Sequence, residues 1–169
     1  MYWLRLIFFA ILATSWVPVT ADAPSCVRQE TALYAGRTID AGTVSIWNSR
    51  LAIFLVTEPI AEWRIKEIQV YVGEDPIPVN RAGNPVVGKF PYKHEYEIPV
   101  PLYMLTIDIE ADLGSFVEIV NVAVHADLVL IDEGTGEIVA EEGAWAFGPY
   151  EFEGSTWGWW FTYEPCSPR

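Results

Sequence analysis

The chain of 169 residues is strongly acidic, with 23 Asp and Glu against 10 Lys and Arg and a formal net charge of −13 at pH 7. Such a surface repels phosphate backbones and anionic membranes, so nucleic acid is disfavoured as a partner, and cations, especially calcium, are favoured. The length suits one domain with a sizeable core, and we find no internal repeat or low-complexity segment in the mature part.

The first 21 residues have the order of a secretory signal peptide. Arg5 gives a weakly positive start, residues 6–13 form an unbroken apolar run, and small residues precede a cleavage site at Ala21. The run is much shorter than the ~20 residues of a membrane-spanning helix. We therefore expect cleavage after Ala21 and a secreted or cell-surface domain over residues 22–169, with no further membrane insertion. Cleavage after Ala23 and a retained N-terminal anchor are the alternatives.

The two cysteines, Cys26 and Cys166, lie near the two ends of the predicted mature domain. In an exported protein such a pair is typical of a disulfide, here one that ties the first segment to the last. Closing so long a loop stabilises a fold by up to ~5 kcal/mol in the chain-entropy model. A free or intermolecular thiol is the alternative. A catalytic Cys–His pair is disfavoured because both cysteines lie at the edges of the domain.

Apolar and polar residues alternate with period two along the mature chain, and no segment shows a convincing helical period. The predicted strands are residues 43–47, 51–57, 63–73, two strands within 94–110 split by Pro99 and Pro101, then 116–131, a return strand from Glu137, and 157–163. Short turns at 48–50 and 134–136 join neighbouring strands. About eight or nine strands without helical spacers predict an all-β fold, a single antiparallel β-sandwich of the immunoglobulin-like or jelly-roll-like kind.

One long segment, residues 73–93, interrupts the strands with four prolines and three glycines, which exclude a central strand. Loops of this length inside a compact domain are usually functional or disordered. The segment also carries three basic residues, so it is locally cationic on an acidic protein. It is therefore either an ordered surface loop over one end of the sandwich or a binding loop, in which Lys89, Phe90 and Tyr92 are the candidate ligand-binding residues.

The last predicted strand is unusually rich in aromatic residues. Alternation places four rings on one face: Trp157, Trp159, Phe161 and Tyr163. This face suits a core, because each buried ring removes about 150–250 Å² from water. Trp160 lies on the other face, flanked by the small residues Gly158 and Thr162. It can therefore stack on a sugar ring, or it can pack under the loop at residues 73–93.

His125 and Trp145 are two further candidates for ligand binding. His125 shares its strand face with Asn121 and Ala123, and a lone histidine in a strand is usually a hydrogen-bonded structural residue. A zinc site would need His94 and a carboxylate as partners, and the spacing gives no support for that set.

Three carboxylates, Asp108, Glu110 and Asp112, are predicted to share one strand face and are the candidate Ca²⁺ ligands. Their spacing does not match an EF-hand loop, and a solvated strand face is the favoured interpretation. No other cofactor is predicted.

Two adjacent glutamates, Glu141 and Glu142, precede Trp145 in a way that superficially suggests a glycosidase. Neighbouring residues of a strand point to opposite faces, so these two cannot form an opposed acid–base pair. A hydrolase would need the fold to bring Glu142 to Asp108 or Glu110. The chain has no Gly-x-Ser-x-Gly elbow and no phosphate-binding glycine motif, and we assign no catalytic residue.

Six segments of the chain also resemble a known family: YAGRTIDAGTVSI, YVG, IPVNRAGNPVVGKFPYKHEY, VAVHADLVL, EGAWAFG and WGWWFTY. In this order, over residues 34–163, they are similar to a family of exported microbial proteins with a β-rich domain and no assigned reaction. The resemblance implies export and a β-rich fold. The first hairpin departs from it, because its turn, WNSR, is tighter than the longer Asn/Asp/Gly turn of the family.

The sequence thus predicts a secreted, non-catalytic β-sandwich module that binds an extracellular glycan, a surface polymer or a surface protein. The candidate ligand-binding residues are Trp160, Trp145, His125, Lys89, Phe90 and Tyr92. One alternative is a purely structural or adhesive domain whose stability depends on Ca²⁺. The other is a carboxylate-based hydrolase.

Overall fold

The computed structural model describes residues 27–166 of the chain. The predicted signal peptide and Cys26 lie outside the described residues, so cleavage, export and the Cys26–Cys166 disulfide stay predictions. Among residues 27–166, no helix has the length and apolar character needed to cross a membrane.

The described part of the chain is nearly all β. Its ten strands are β1 (Gln29–Ala35), β2 (Ile39–Asn48), β3 (Ala52–Pro59), β4 (Trp63–Gly73), β5 (Tyr92–Val100), β6 (Tyr103–Asp108), β7 (Val120–Ile131), β8 (Ile138–Ala146), β9 (Tyr150–Glu151) and β10 (Trp159–Tyr163). One short helix, α1 (Ile109–Leu113), follows β6, and a single 3₁₀ turn covers Val87–Lys89.

All strand pairs are antiparallel, and eight strands follow the order β5-β4-β7-β8-β1-β2-β3-β6. The other two lie beside this path, where β10 pairs with β7 and β9 pairs with β10. Strand β7 is the centre of this arrangement. It pairs with β4 along most of its length, while its first residues pair with β10 and its later residues pair with β8. Strands β5 and β6 are the two ends of the order. The predicted all-β, antiparallel fold is confirmed, and its assignment as a sandwich stays a prediction.

One face of the sheet encloses the inner core. Its members are mostly aliphatic and fully buried, and they include Leu33, Val44, Leu55, Ile68, Val124, Leu128 and Phe161. They come from eight of the ten strands, so the sheet has to curve round on itself to bring them together. Period-two alternation produces this core, because every second residue of each strand faces the same side.

Several predicted boundaries differ from the observed ones. The hairpin of β2 and β3 is confirmed, and the tight turn between them covers residues 49–51 rather than 48–50. The long strand begins at Val120 rather than at Phe116. Strands β1 and β9 were not predicted. Pro99 lies inside β5. The strand tolerates a residue without an N–H group because β5 pairs with only one neighbour.

The predicted strand face of Asp108, Glu110 and Asp112 is wrong, because Asp108 ends β6 and caps α1, whereas Glu110 and Asp112 lie within the helix. The carboxylate of Asp108 accepts hydrogen bonds from the backbone N–H groups of Glu110 and Ala111, at 3.0 and 2.8 Å. The Asp112 carboxylate accepts from the N–H of Asp108 at 2.9 Å. Gly114, with a φ of 78°, ends the helix in the left-handed conformation. Local capping therefore overrides the strand pattern here.

The C-terminal end of the described chain is fixed to the first hairpin by Asn48, which is 5% exposed. The Oδ1 atom of Asn48 accepts from the Tyr163 hydroxyl at 2.7 Å and from the Cys166 N–H at 3.1 Å. Its Nδ2 group donates to the Cys166 carbonyl oxygen at 3.1 Å. One buried amide thus holds the predicted disulfide position against the end of β2.

Candidate functional site

A second apolar cluster lies on the outer face of the sheet. Its buried members are Tyr71, Ile77, Phe90, Ala123, Trp145 and Phe152, with Val87, Trp157, Trp159 and Trp160 packed against them. Three of these residues alternate with inner-core residues along β4, β7 and β8, so the two clusters occupy opposite faces of the same strands. We call this set the outer aromatic cluster.

Two segments without long strands cover the outer aromatic cluster, one at residues 74–91 and one at 147–158. The first contributes Ile77 and Phe90, and the second contributes Phe152. Phe90 is 1% exposed, and its ring lies edge-on to Tyr71 and Trp145. The Pro- and Gly-rich segment is therefore an ordered cover over the face of the sheet.

The tip of the first segment is held by its own hydrogen bonds. The Asn80 side chain accepts from the backbone N–H groups of Ala82 and Asn84, at 2.9 and 3.1 Å. Gly83 adopts a φ of 79°, which is left-handed and suits glycine. An isolated bridge pairs Val79 with Pro85 and closes the turn.

The tip is also docked onto the second segment. The Oδ1 atom of Asn84 accepts from the N–H of Thr156 at 2.7 Å, and the N–H of Gly154 donates to the Gly83 carbonyl oxygen at 3.2 Å. A Cβ atom on Gly154 would lie 2.1 Å from Asn84 Oδ1 and 2.5 Å from the Asn84 backbone nitrogen. Only glycine permits this close approach, so the two covering segments depend on each other.

A groove of about 420 Å³ opens where the two segments meet. Its lining residues are Pro76, Ile77, Val79, Gly83, Asn121, Glu151, Phe152, Glu153 and Trp160. The lining combines apolar side chains with a few polar ones, which is the usual composition of a ligand site.

Trp160 is the aromatic side chain of this groove that the sequence singled out. Its ring is partly buried and stacks on Tyr150, with the ring centroids 4.3 Å apart and the planes at 25°. Tyr150 is 45% exposed. Trp160 packs against the outer aromatic cluster and also lines the groove. Its stacking on a sugar ring stays a prediction.

The polar groups of the groove are mostly hydrogen-bond acceptors. The Nδ2 group of Asn121 donates to the backbone carbonyl oxygens of Glu74 and Asp75, at 3.2 and 3.0 Å. The carboxylate of Glu151 is paired with the Arg37 guanidinium, and both side chains are about half exposed. Within residues 27–166, no ion pair includes Glu153.

His125 lies beneath this region rather than in the groove. Its Nδ1–H donates to Oε1 of Gln69 at 2.6 Å, and its ring centroid is 4.8 Å from that of Trp145. Burial lowers the pKa of His125 below its ordinary value, and the carboxylates of Asp127 and Glu67 oppose this shift in part. His125 is therefore neutral. It lies on β7, is hydrogen-bonded to Gln69 on β4 and packs against the Trp145 ring on β8.

The structure brings four of the candidate ligand-binding residues into one region. Trp145 contacts both His125 and Phe90 in or beside the outer aromatic cluster, and Trp160 packs against that cluster. Trp145, at 3% exposed, is buried and does not line the groove.

The remaining two candidates lie elsewhere. Lys89 is an exposed residue at the end of the 3₁₀ turn, and neither it nor Tyr92 lines the groove. Tyr92 packs against the inner core, where burial first, and then Asp112 and Tyr103, raise its pKa to about 12.

The prediction that Trp157, Trp159, Phe161 and Tyr163 share one face is wrong, because only Phe161 and Tyr163 belong to the inner core. The rings of Trp157 and Trp159 pack against the outer aromatic cluster, and Trp159 also contacts Tyr34 and Phe147. Strand β10 begins only at Trp159, after Gly158, where a Cβ atom would lie 2.8 Å from the Trp145 ring. The strict alternation of a strand therefore does not extend back to Trp157.

No metal centre is assembled in the part of the chain that the structure describes, where no group of three or more His, Cys, Asp or Glu side chains is arranged to hold an ion. His94 lies on the terminal strand β5 beside Tyr96. Glu142 lines one surface groove, whereas Asp108 and Glu110 line another, so the fold does not bring Glu142 to either of them.

Sequence reasoning missed most of the groove. Ile77, Val79, Asn121, Glu151, Phe152 and Glu153 line it without having been singled out. The Pro- and Gly-rich composition of the first covering segment was the signal that could have indicated Ile77 and Val79.

Comparisons of the chain with protein-family models, with curated proteins and with solved structures give no match.

Proposed function

We propose that the protein is a secreted, non-catalytic module that binds an extracellular glycan or surface polymer in the groove beside Trp160. The observation that carries the proposal is the Trp160 ring, which lines an apolar groove of about 420 Å³ together with Ile77 and Phe152. Glycan rings have an apolar C–H face that packs on aromatic rings, and their hydroxyls need the few polar groups that such grooves provide.

The proposal includes the features on which an extracellular module depends. These are export by a signal peptide cleaved after Ala21, the Cys26–Cys166 disulfide, and closure of the sheet as a β-sandwich. The predicted family of exported microbial proteins is part of the same proposal.

The test is a calorimetric titration of the exported protein with a panel of soluble oligosaccharides, together with the tryptophan emission. We expect saturable binding that Trp160→Ala abolishes while the far-UV circular dichroism spectrum is unchanged. Trp47→Ala is the matched control, because Trp47 is also partly exposed but stacks on Phe54, on β2 and β3. Equal loss of binding in both variants would contradict a site at Trp160.

A structural or adhesive role is the second candidate, and the burial of Trp145 and Phe90 favours it. Both residues belong to a tightly packed cover rather than to an open surface. A flat titration across the whole panel, with a fully folded protein, would favour this role over glycan binding.

A further inference from the structure

We infer that the groove beside Trp160 selects sugars that carry a protonated amine over neutral and acidic sugars. Since the groove is the proposed glycan site, this rests on the proposed function and specifies its ligand class. Three properties of the groove lead to it: the sign of its charge, the kind of polar atoms it presents, and the position of its aromatic ring.

The charge of the groove is negative. Glu151 and Glu153 line it, and none of its lining residues is Lys, Arg or His. The net charge of −13 adds a negative field over the whole surface. A uronic acid or a sulfated sugar would therefore place like charges together, whereas an amino sugar would bring a positive charge to a negatively charged groove.

The polar atoms of the groove suit a ligand that donates hydrogen bonds. The carboxylates of Glu151 and Glu153 accept only, and the Asn121 N–H₂ group already donates to the carbonyl oxygens of Glu74 and Asp75. Within residues 27–166 the Oδ1 atom of Asn121 has no hydrogen-bond partner. An ammonium group has three N–H donors and no acceptor, so it complements this set better than an acetamide or a carboxylate does.

The aromatic ring adds a further preference for a cation. Trp160 lies opposite Tyr150 in the β9–β10 pair and is stacked on its ring. The face of an indole ring attracts ammonium groups within ~6 Å of its centre. A sugar ring that packs in this groove can therefore place its amine near both the indole and a carboxylate.

Glu153 is the carboxylate most available to such a ligand. Glu151 is already paired with Arg37, so part of its charge is neutralised. Glu153 is exposed and takes part in no ion pair within residues 27–166. We therefore assign the discrimination to Glu153 and the packing of the sugar ring to Trp160.

The test compares three hexasaccharides by calorimetry with the exported full domain: oligo-glucosamine, its fully N-acetylated form, and an oligo-uronate. At pH about 6 and about 0.15 M salt, long-range attraction is screened and short-range contacts dominate. We expect oligo-glucosamine to bind about 3- to 30-fold more tightly than the acetylated form. Binding of the uronate should not be measurable.

The variant Glu153→Gln should remove most of the preference for the amine, measured as the ratio of the affinities for the amino and the acetylated sugar. Glu133→Gln is the matched control, because it removes the same charge from an exposed residue beyond the opposite end of β7. Equal affinity for the amino and acetylated sugars would overturn the inference but leave the proposed function intact. So would an equal effect of the two variants, since the preference would then reflect net charge alone. Absence of any Trp160-dependent binding would overturn the proposed function itself, and the inference with it.

Discussion

The inner core and the outer aromatic cluster occupy opposite faces of the same strands, and they are built differently. The inner core is mostly aliphatic, and strands supply nearly all of it, with side chains such as Ile68 and Val124 completely buried. The outer cluster is mostly aromatic, and it depends on two covering segments that contribute Ile77, Phe90 and Phe152. The difference teaches that strands alone account for the inner face, whereas the outer face depends on two loop-like segments. Segments of this kind, held by a rigid sheet, are the parts of a fold that most often carry function.

The largest loss of stability is expected when a buried isoleucine is replaced by alanine, and the comparison is between the same substitution in the two clusters. Ile68→Ala removes a fully buried side chain and should lower the free energy of unfolding by about 2–5 kcal/mol. Ile77→Ala, at 8% exposed in a covering segment, should cost less, because a surface segment can relax into the space. Urea unfolding followed by circular dichroism measures both. Equal costs would show that the cover is as rigid as the core.

A second comparison tests whether the two covering segments depend on each other. Gly154→Ala forces a Cβ atom against the Asn84 backbone and should cost about 1–3 kcal/mol, with the cover becoming sensitive to proteases. Gly88→Ala is the control, since a Cβ atom there meets nothing within 4 Å. Thermal unfolding and limited proteolysis give the two readouts. Unchanged protease resistance in Gly154→Ala would contradict the docking of the segments.

A smaller effect is expected where the inner core meets the C-terminal residues. Tyr163→Phe removes the hydroxyl that donates to Asn48, and it should cost about 0.5–1.5 kcal/mol. The Asn48 oxygen keeps the Cys166 N–H as a donor, so it is not left without a partner. Tyr150→Phe, which removes an exposed hydroxyl, should leave the unfolding midpoint in urea unchanged. A neutral Tyr163→Phe variant would show that water replaces the hydroxyl.

The smallest expected effect is a pH dependence that arises in the outer face. Burial lowers the pKa of His125, so the folded protein binds fewer protons than the unfolded chain below the ordinary value of 6.5. The free energy of unfolding should therefore fall as the pH drops from 6.5 to the lowered folded-state pKa, and then fall no further from this group. His125→Gln should remove this component, whereas His94→Gln should retain it. Urea unfolding at a series of pH values measures this dependence in both variants. The same pH dependence in the two would contradict the assignment to His125.

Most of the inner core could be predicted from the sequence. The alternation of Ile68, Val70 and Val72 and the tight turn after Asn48 are local signals, and the observed β4 and the β2–β3 hairpin follow them. The short helix α1 could not be predicted by alternation, because the cap provided by Asp108 outweighs it.

The groove could be predicted only in part. Trp160 was found because its small flanking residues left it exposed on one face, and it does line the groove. Phe152 and Ile77 reach the groove through the docking of Asn84 onto Thr156, which are 72 residues apart in the chain. Contacts at that separation depend on the finished sheet, so no local pattern of residues indicates them.

The two strands that end the sheet have a consequence for the behaviour of the protein at high concentration. An unpaired strand edge is a template on which another molecule can add a strand and begin a fibril. Strand β5 carries Lys93, Glu95 and Glu97 as well as Pro99, and β6 has only six residues before α1 terminates it. Charge, proline and short length all oppose the addition of a further strand at these two edges.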